Sequence, residues 1–179
     1  EIGFGMGHTT AQIAQTLTDS NFIAIDVHSP GVGNLLNKIK KIDLENLKII
    51  QHDAVEVLEK MVSDESLDAV HIFFPDPWHK KRHNKRRLIQ EPFIELIGKK
   101  LKKEGYIHLA TDWQDYAEWM IEAFKKNGKE SVNVDLALFS ILSTLRWLYS
   151  WVLKNPEINP IELEKEMIEN LLSGIFSRS

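Results

Sequence analysis

At 179 residues the chain has room for one ordinary domain, or one domain with a small appendage. Apolar residues make up 43% and charged residues 27%, enough for a sizeable core, which excludes wholesale disorder. There is no cysteine, which removes a disulfide scaffold, a zinc ribbon and a thiol nucleophile and fits a reducing compartment, so a cytoplasmic location is expected. The net charge of −4 excludes a polycation, yet residues 79–87 (HKKRHNKRR) hold six of the 22 Lys and Arg, a local anion site on an acidic protein.

Glu1-Ile2-Gly3-Phe4 has the pattern of the last residues of a strand, so the N-terminus is read as truncated. The strand end runs through Gly3, Gly5 and Gly7 into a helix-period segment, residues 10–17. Glycines at such a turn let the backbone approach a ligand closely. The dinucleotide fingerprint G-x-G-x-x-G fails, because its third glycine falls on His8 or on Thr10. An acidic residue two before G-x-G-x-G suits S-adenosylmethionine better, since the Glu1 carboxylate can hold the ammonium of its methionine part. A plain tight turn is the competing reading. The strand at 22–25 ends on Asp26, placed to accept from ribose hydroxyls or simply to sit in solvent. After the helix at 32–42 and the strand at 47–50 comes Asp53, either facing an adenine amino group or capping the helix at 54–62; its two oxygens allow both.

The strand at 69–74 ends in Phe73-Phe74-Pro75-Asp76-Pro77-Trp78. Two prolines fix the backbone and remove two amide donors, so Asp76 is held stiffly beside an aromatic able to stack on a base, unless this is an ordinary turn with Trp78 in the core. The basic run follows, able to grip phosphates or to form a solvated face. His79 and His83 have a helical metal-binding spacing, but cations surround them and no carboxylate or cysteine lies nearby, so no metal is expected. Then come a helix at 88–101, a strand at 106–109, the N-cap candidates Thr111 and Asp112 opening onto the same edge as Asp76, and a helix at 113–126. This alternation predicts an α/β fold, a parallel sheet covered by helices on both faces, with ligands beyond the carboxyl ends of the strands.

Past Asn127 the strand signals stop. A long helix at 134–154, a break at 155–160 and a second helix capped by Asn159 predict a helical hairpin. Residues 136–153 have the length of a marginal membrane span, but Arg146 in their middle argues for a buried helix and no membrane. The expected division is 1–128 and 129–179.

The segments EIGFGMG, DVHSPGVG, HDAVEVL, FFPDPWHKKRHNKRR and ATDWQDYAEWM closely resemble the bacterial tRNA (guanine-N7-)-methyltransferase family, in order, over residues 1 to about 126. The resemblance implies a Rossmann-like class I methyltransferase that carries a methyl group from S-adenosylmethionine to N7 of the variable-loop guanine (position 46) of tRNA. Carried over by position, Glu1, Asp26, Asp53 and Asp76 fall on cofactor-binding positions, with Gly3, Gly5 and Gly7 as the loop between; Asp76 is also the implied catalytic residue. Lys80 and Asp112 fall on substrate positions, and Arg82, His83, Asn84, Lys85, Arg86 and Arg87 on the RNA-interaction segment. The family usually has glutamate where Asp26 stands, so the shorter side chain must reach further. The family's N-terminal segment, most of its first strand and its C-terminal Thr-Lys-Phe-Glu stretch are absent. The tail from about residue 132 is more weakly similar to the dimerising end of tetracycline-repressor-like regulators, which implies a homodimer. The alternative function is an inactive RNA- or cofactor-binding fragment fused to such a tail.

Overall fold

The predicted alternation of strand and helix is borne out, and its register follows from which runs are apolar. A computed structural model of the chain describes residues 1–127, which lie within the first of two compact units, Glu1–Leu138. The hairpin and dimer expectations for the tail lie outside the described residues. The elements are α1 (His8–Thr16), β1 (Phe22–Asp26), α2 (Ser29–Ile42), β2 (Leu47–Gln51), α3 (Ala54–Met61), β3 (Leu67–Phe73), a short 3-10 helix (Lys81–Arg86), α4 (Glu91–Lys100), β4 (Leu101–Ala110) and α5 (Gln114–Lys126).

β1 pairs in parallel with β2, and β3 with β4. The two pairs are joined through Ile2, which bridges Ile25 on one side and Ile72 on the other. Its amide donates to His71 O at 2.8 Å, while Gly3 N donates to Ile25 O at 2.8 Å. The first three residues therefore run as the centre of the sheet, giving the spatial order β2, β1, Glu1–Gly3, β3, β4. From that centre the chain winds outward to β2, then crosses back to β3. The reversal is the topological switch point at which open α/β sheets bind ligands.

Side chains alternate across the strands, as a two-residue period requires. Ala24 packs with Phe4, Ala14, Val32 and Leu35 under α1 and α2. Ile25 joins Ile2, Ile72, Ile94, Leu109 and Met120 on the face covered by α3, α4 and α5. The helices start and stop on local signals: Pro30 and Pro92 sit in the first turns of α2 and α4, and Lys40, Lys41, Lys99 and Lys100 in their last turns, where cations suit the carbonyl end.

Several boundaries differ from the sequence reading by up to three residues, as at α2, which begins at Ser29 and not at residue 32, and the largest difference is at β4. The helix predicted from residue 88 begins at Glu91, and residues 101–105 belong to β4, not to a helix end and loop. The registers Leu67↔Leu101 and Ala69↔Tyr106 leave extra residues on β4, so Lys102, Lys103 and Glu104 bulge out and hide the strand's period.

Candidate active site

Each of β1 to β4 leads into the same small device. A side-chain oxygen of residue i accepts from the backbone amide of residue i+2: Asp26 from His28 at 2.9 Å, Asp53 from Val55 at 2.9 Å, Asp76 from Trp78 at 2.9 Å, and Thr111 from Trp113 at 3.3 Å. Such turns are what aspartate and threonine form when the chain leaves a strand. They fix the four residues at the carboxyl edge of the sheet before any ligand arrives. Asp53 does cap α3, with a further acceptance from Glu56 at 3.2 Å, and that uses one oxygen only. On Asp76, likewise, the bond to Trp78 engages Oδ1, and no hydrogen bond to Oδ2 occurs among the described residues.

Asp26 differs. Its second oxygen accepts from Gly5 N at 2.8 Å, so the carboxylate pins the glycine loop to the end of β1. All three loop glycines are left-handed, with φ of 75°, 56° and 67° at Gly3, Gly5 and Gly7, which side-chain-bearing residues rarely adopt. Gly31 of α2 completes the cradle: a Cβ there would lie 1.9 Å from Gly5 O. Asn34, one turn on, donates to Met6 O at 2.6 Å. Glu1 is half-buried beside the loop, and burial raises its carboxyl above the ordinary range. A loop with open space over Gly3 and Gly5, flanked by carboxylates, fits a ligand carrying an ammonium and ribose hydroxyls.

The second half of the site is built by different means. Phe74 (φ 51°) and Trp78 (φ 46°) both stand in the left-handed region, bracketing Pro75-Asp76-Pro77. Such backbone in bulky residues costs on the order of 1–3 kcal/mol each and persists only where surroundings over-determine it. On the Pro77-Trp78 side the support is Arg87. The sequence reading placed it among the RNA-interaction residues; instead its side chain is 1% exposed. Its Nε donates to Pro77 O at 2.8 Å, it pairs with Asp115 in the first turn of α5, and its guanidinium lies 4.8 Å and 5.1 Å from the ring centres of Tyr116 and Trp119. Arg87 thus braces the Asp76 turn against α5 and has no face left for a phosphate. Asp115, Tyr116 and Trp119 lie within the ATDWQDYAEWM segment that carries the family resemblance, but the sequence assigns none of them a role of its own.

Between these braces the basic run forms a 3-10 helix, not a loop. Lys80, Lys81, Arg82, Lys85 and Arg86 are exposed and make no ion pair among the described residues. Arg86 lies 4.9 Å over the Trp78 ring, and His83 meets the same ring in a T-shaped contact at 5.9 Å. Asn84 is half-buried, and its Oδ1 has no hydrogen-bond partner among the described residues. Asp112 is exposed beside Thr111, at the end of β4. His79 packs on Trp113 at 4.2 Å, so the two histidines engage separate tryptophans. A groove of about 340 Å³ between α3 and α4, lined in part by Val55, Glu59, Arg86 and Phe93, lies away from the glycine loop.

Comparisons with known proteins bear on the family and the fold. A protein from Methylobacillus flagellatus named tRNA (guanine-N(7)-)-methyltransferase is 60% identical over 126 residues, covering 70% of this chain and 53% of the relative. One of the same name from Neisseria meningitidis serogroup A is 65% identical over 122 residues, covering 68% and 51%. The chain spans about half the length of these curated relatives. Among solved structures, a precorrin-6y C5,15-methyltransferase from Geobacter metallireducens superposes with a TM-score of 0.56 at 20% identity, over 71% of this chain and 60% of that one, and shows the shared fold. A family described as "Putative methyltransferase" matches residues 1–137, from the glycine loop through the last described helix, and the chain belongs to that family.

Proposed function

We propose that the chain is the core of a tRNA (guanine-N7-)-methyltransferase that binds S-adenosylmethionine on the glycine loop and acts on the variable-loop guanine of tRNA. The observation that carries the reading is the meeting, at one switch point, of a glycine cradle pinned by Asp26, a rigid carboxylate at Asp76 and five exposed cations beside it. The names of the relatives at 60% and 65% identity support the substrate.

In this reading Gly3, Gly5 and Gly7 offer close backbone approach, Glu1 holds the ammonium, and Asp26 and Asp53 turn to ribose and adenine. When bound, S-adenosylmethionine supplies an electrophilic methyl group. Guanine N7 carries a lone pair and needs no base to remove a proton, so the protein's task is to align the reacting atoms. The methylated base is cationic. A carboxylate already fixed by the Trp78 amide favours that developing charge over the neutral base, with no reorganisation at the moment of reaction. Lys80, Arg82, Lys85 and Arg86 hold phosphates, and Asp112 faces the substrate from the next strand end.

The test is Asp76→Asn. Asparagine keeps the acceptor for Trp78 N but loses the charge, so methyl transfer to unmodified tRNA is expected to fall by roughly 10²-fold or more with unchanged melting temperature. Cofactor binding measured by calorimetry without turnover by the parent chain would instead favour the binding-fragment alternative.

A further inference from the structure

We propose that Phe74 and Trp113 are stacking surfaces for unpaired RNA bases beside Asp76; the inference rests on the RNA-directed reading above and deepens it. Phe74 is the residue that folding alone does not explain. Its φ of 51° is a conformation that glycine or asparagine adopts at little cost, and a phenylalanine only with steric strain. Burial of the ring does not offset that strain, because Phe74 is 52% exposed while Ile72, two residues earlier, is 1% exposed. A large apolar ring held out of the core in a strained turn points to a contact outside the fold.

The position says what that contact is. Phe74 N donates to Ala110 O at 2.8 Å, so Phe74 stands where β3 and β4 end together. Three residues beyond Ala110 is Trp113, 41% exposed and held by His79 at 4.2 Å with ring planes 73° apart. Two exposed aromatics thus leave adjoining strand ends, Phe74 after β3 and Trp113 after β4. Lys80 and the 3-10 helix after it, which carries the exposed Lys81, Arg82, Lys85 and Arg86, follow the Asp76 turn that Phe74 opens. Aromatic faces interleaved with exposed cations suit single-stranded nucleic acid, with rings taking bases and cations taking phosphates. An apolar protein partner would have to desolvate those cations, which disfavours that occupant.

The experiment uses the full chain and a short single-stranded oligoribonucleotide carrying one 2-aminopurine, whose emission is quenched on stacking. Phe74→Asn and Trp113→Leu are each expected to weaken binding about tenfold, within the range for loss of one base–aromatic stack, and to reduce the quenching. The slope of log affinity against log salt is expected to stay unchanged, because no phosphate contact is lost. Phe74→Asn is expected to melt no lower than the parent, an outcome opposite to that for a core phenylalanine. Trp113, at an ordinary φ of −109°, carries the test if the Phe74 variant fails to fold. Wild-type affinity and quenching in both variants would overturn the inference alone, provided that neutralising Lys85 and Arg86 still weakens binding. No oligoribonucleotide binding by the parent chain would overturn both this inference and the RNA reading beneath it.

Discussion

The two halves of the site solve the same problem with opposite materials. Around Gly3–Gly7 the chain is placed by backbone: left-handed glycines, amide-to-carbonyl bonds to Ile25, and one carboxylate, Asp26, receiving two amides. Around Phe74–Arg87 it is placed by side chains: two prolines, two strained aromatics and a buried arginine reaching Pro77 and Asp115. The first half leaves room for a ligand by lacking side chains. The second presents charge and rings to a ligand and must be braced from behind. The difference teaches that a basic run need not act as one unit: Arg87 supports what Lys80 to Arg86 display.

The sharpest way to break the second half is Arg87→Ala. Loss of a fully buried side chain that bonds Pro77 O and Asp115 is expected to cost about 3 kcal/mol, because it leaves a cavity and unpairs both partners. Arg82→Ala, at an exposed position in the same run, is expected to stay within about 0.5 kcal/mol. Urea titrations of the two variants check the contrast, and equal midpoints would dissolve it.

The first half breaks by addition, not removal. Gly31→Ala places a Cβ 1.9 Å from Gly5 O, a clash with backbone that no side-chain rotation relieves. The expected cost is about 1–3 kcal/mol. S-adenosylmethionine affinity, measured by calorimetry, is expected to drop as well because the loop is displaced. Gly33→Ala is the control, since a Cβ there meets nothing within 4 Å.

The smallest effect sharpens the device common to both halves. Asp53→Ala removes the acceptor for Val55 and Glu56 amides and is expected to cost about 1 kcal/mol, while Asp53→Asn retains the cap and nearly all the stability. Thermal melts of the pair read the turn alone; S-adenosylmethionine affinity lowered in Asp53→Asn would show the carboxylate doing a second task.

Most of the fold was legible because short apolar runs and helix-period segments carry their signals locally. Asp26, Asp53, Asp76 and Asp112 were legible as candidates because a parallel sheet puts the residues after its strands at one edge, and Glu1 through its spacing to the glycine loop; their roles came from the family resemblance. The capping role of Asp53 was also within reach, because a cap is a contact with amides two and three residues away. The failures involve distance or masking. The first half of β4 was missed because Lys102, Lys103 and Glu104 bulge from the ladder and break its two-residue period.

By itself the sequence determined the order of elements, the glycine loop, the proline-locked Asp76 and the clustering of positive charge. Only the tertiary structure decided which cations face solvent. Arg86 and Arg87 are neighbours of one chemical type, and no local pattern separates them. What separates them is α5, whose Asp115, Tyr116 and Trp119 lie 28 to 32 positions further along the chain and close on Arg87 when the sheet forms. A residue's charge is written in the sequence, but its partner is chosen by packing, because burial makes an unpaired guanidinium costly and an exposed one cheap.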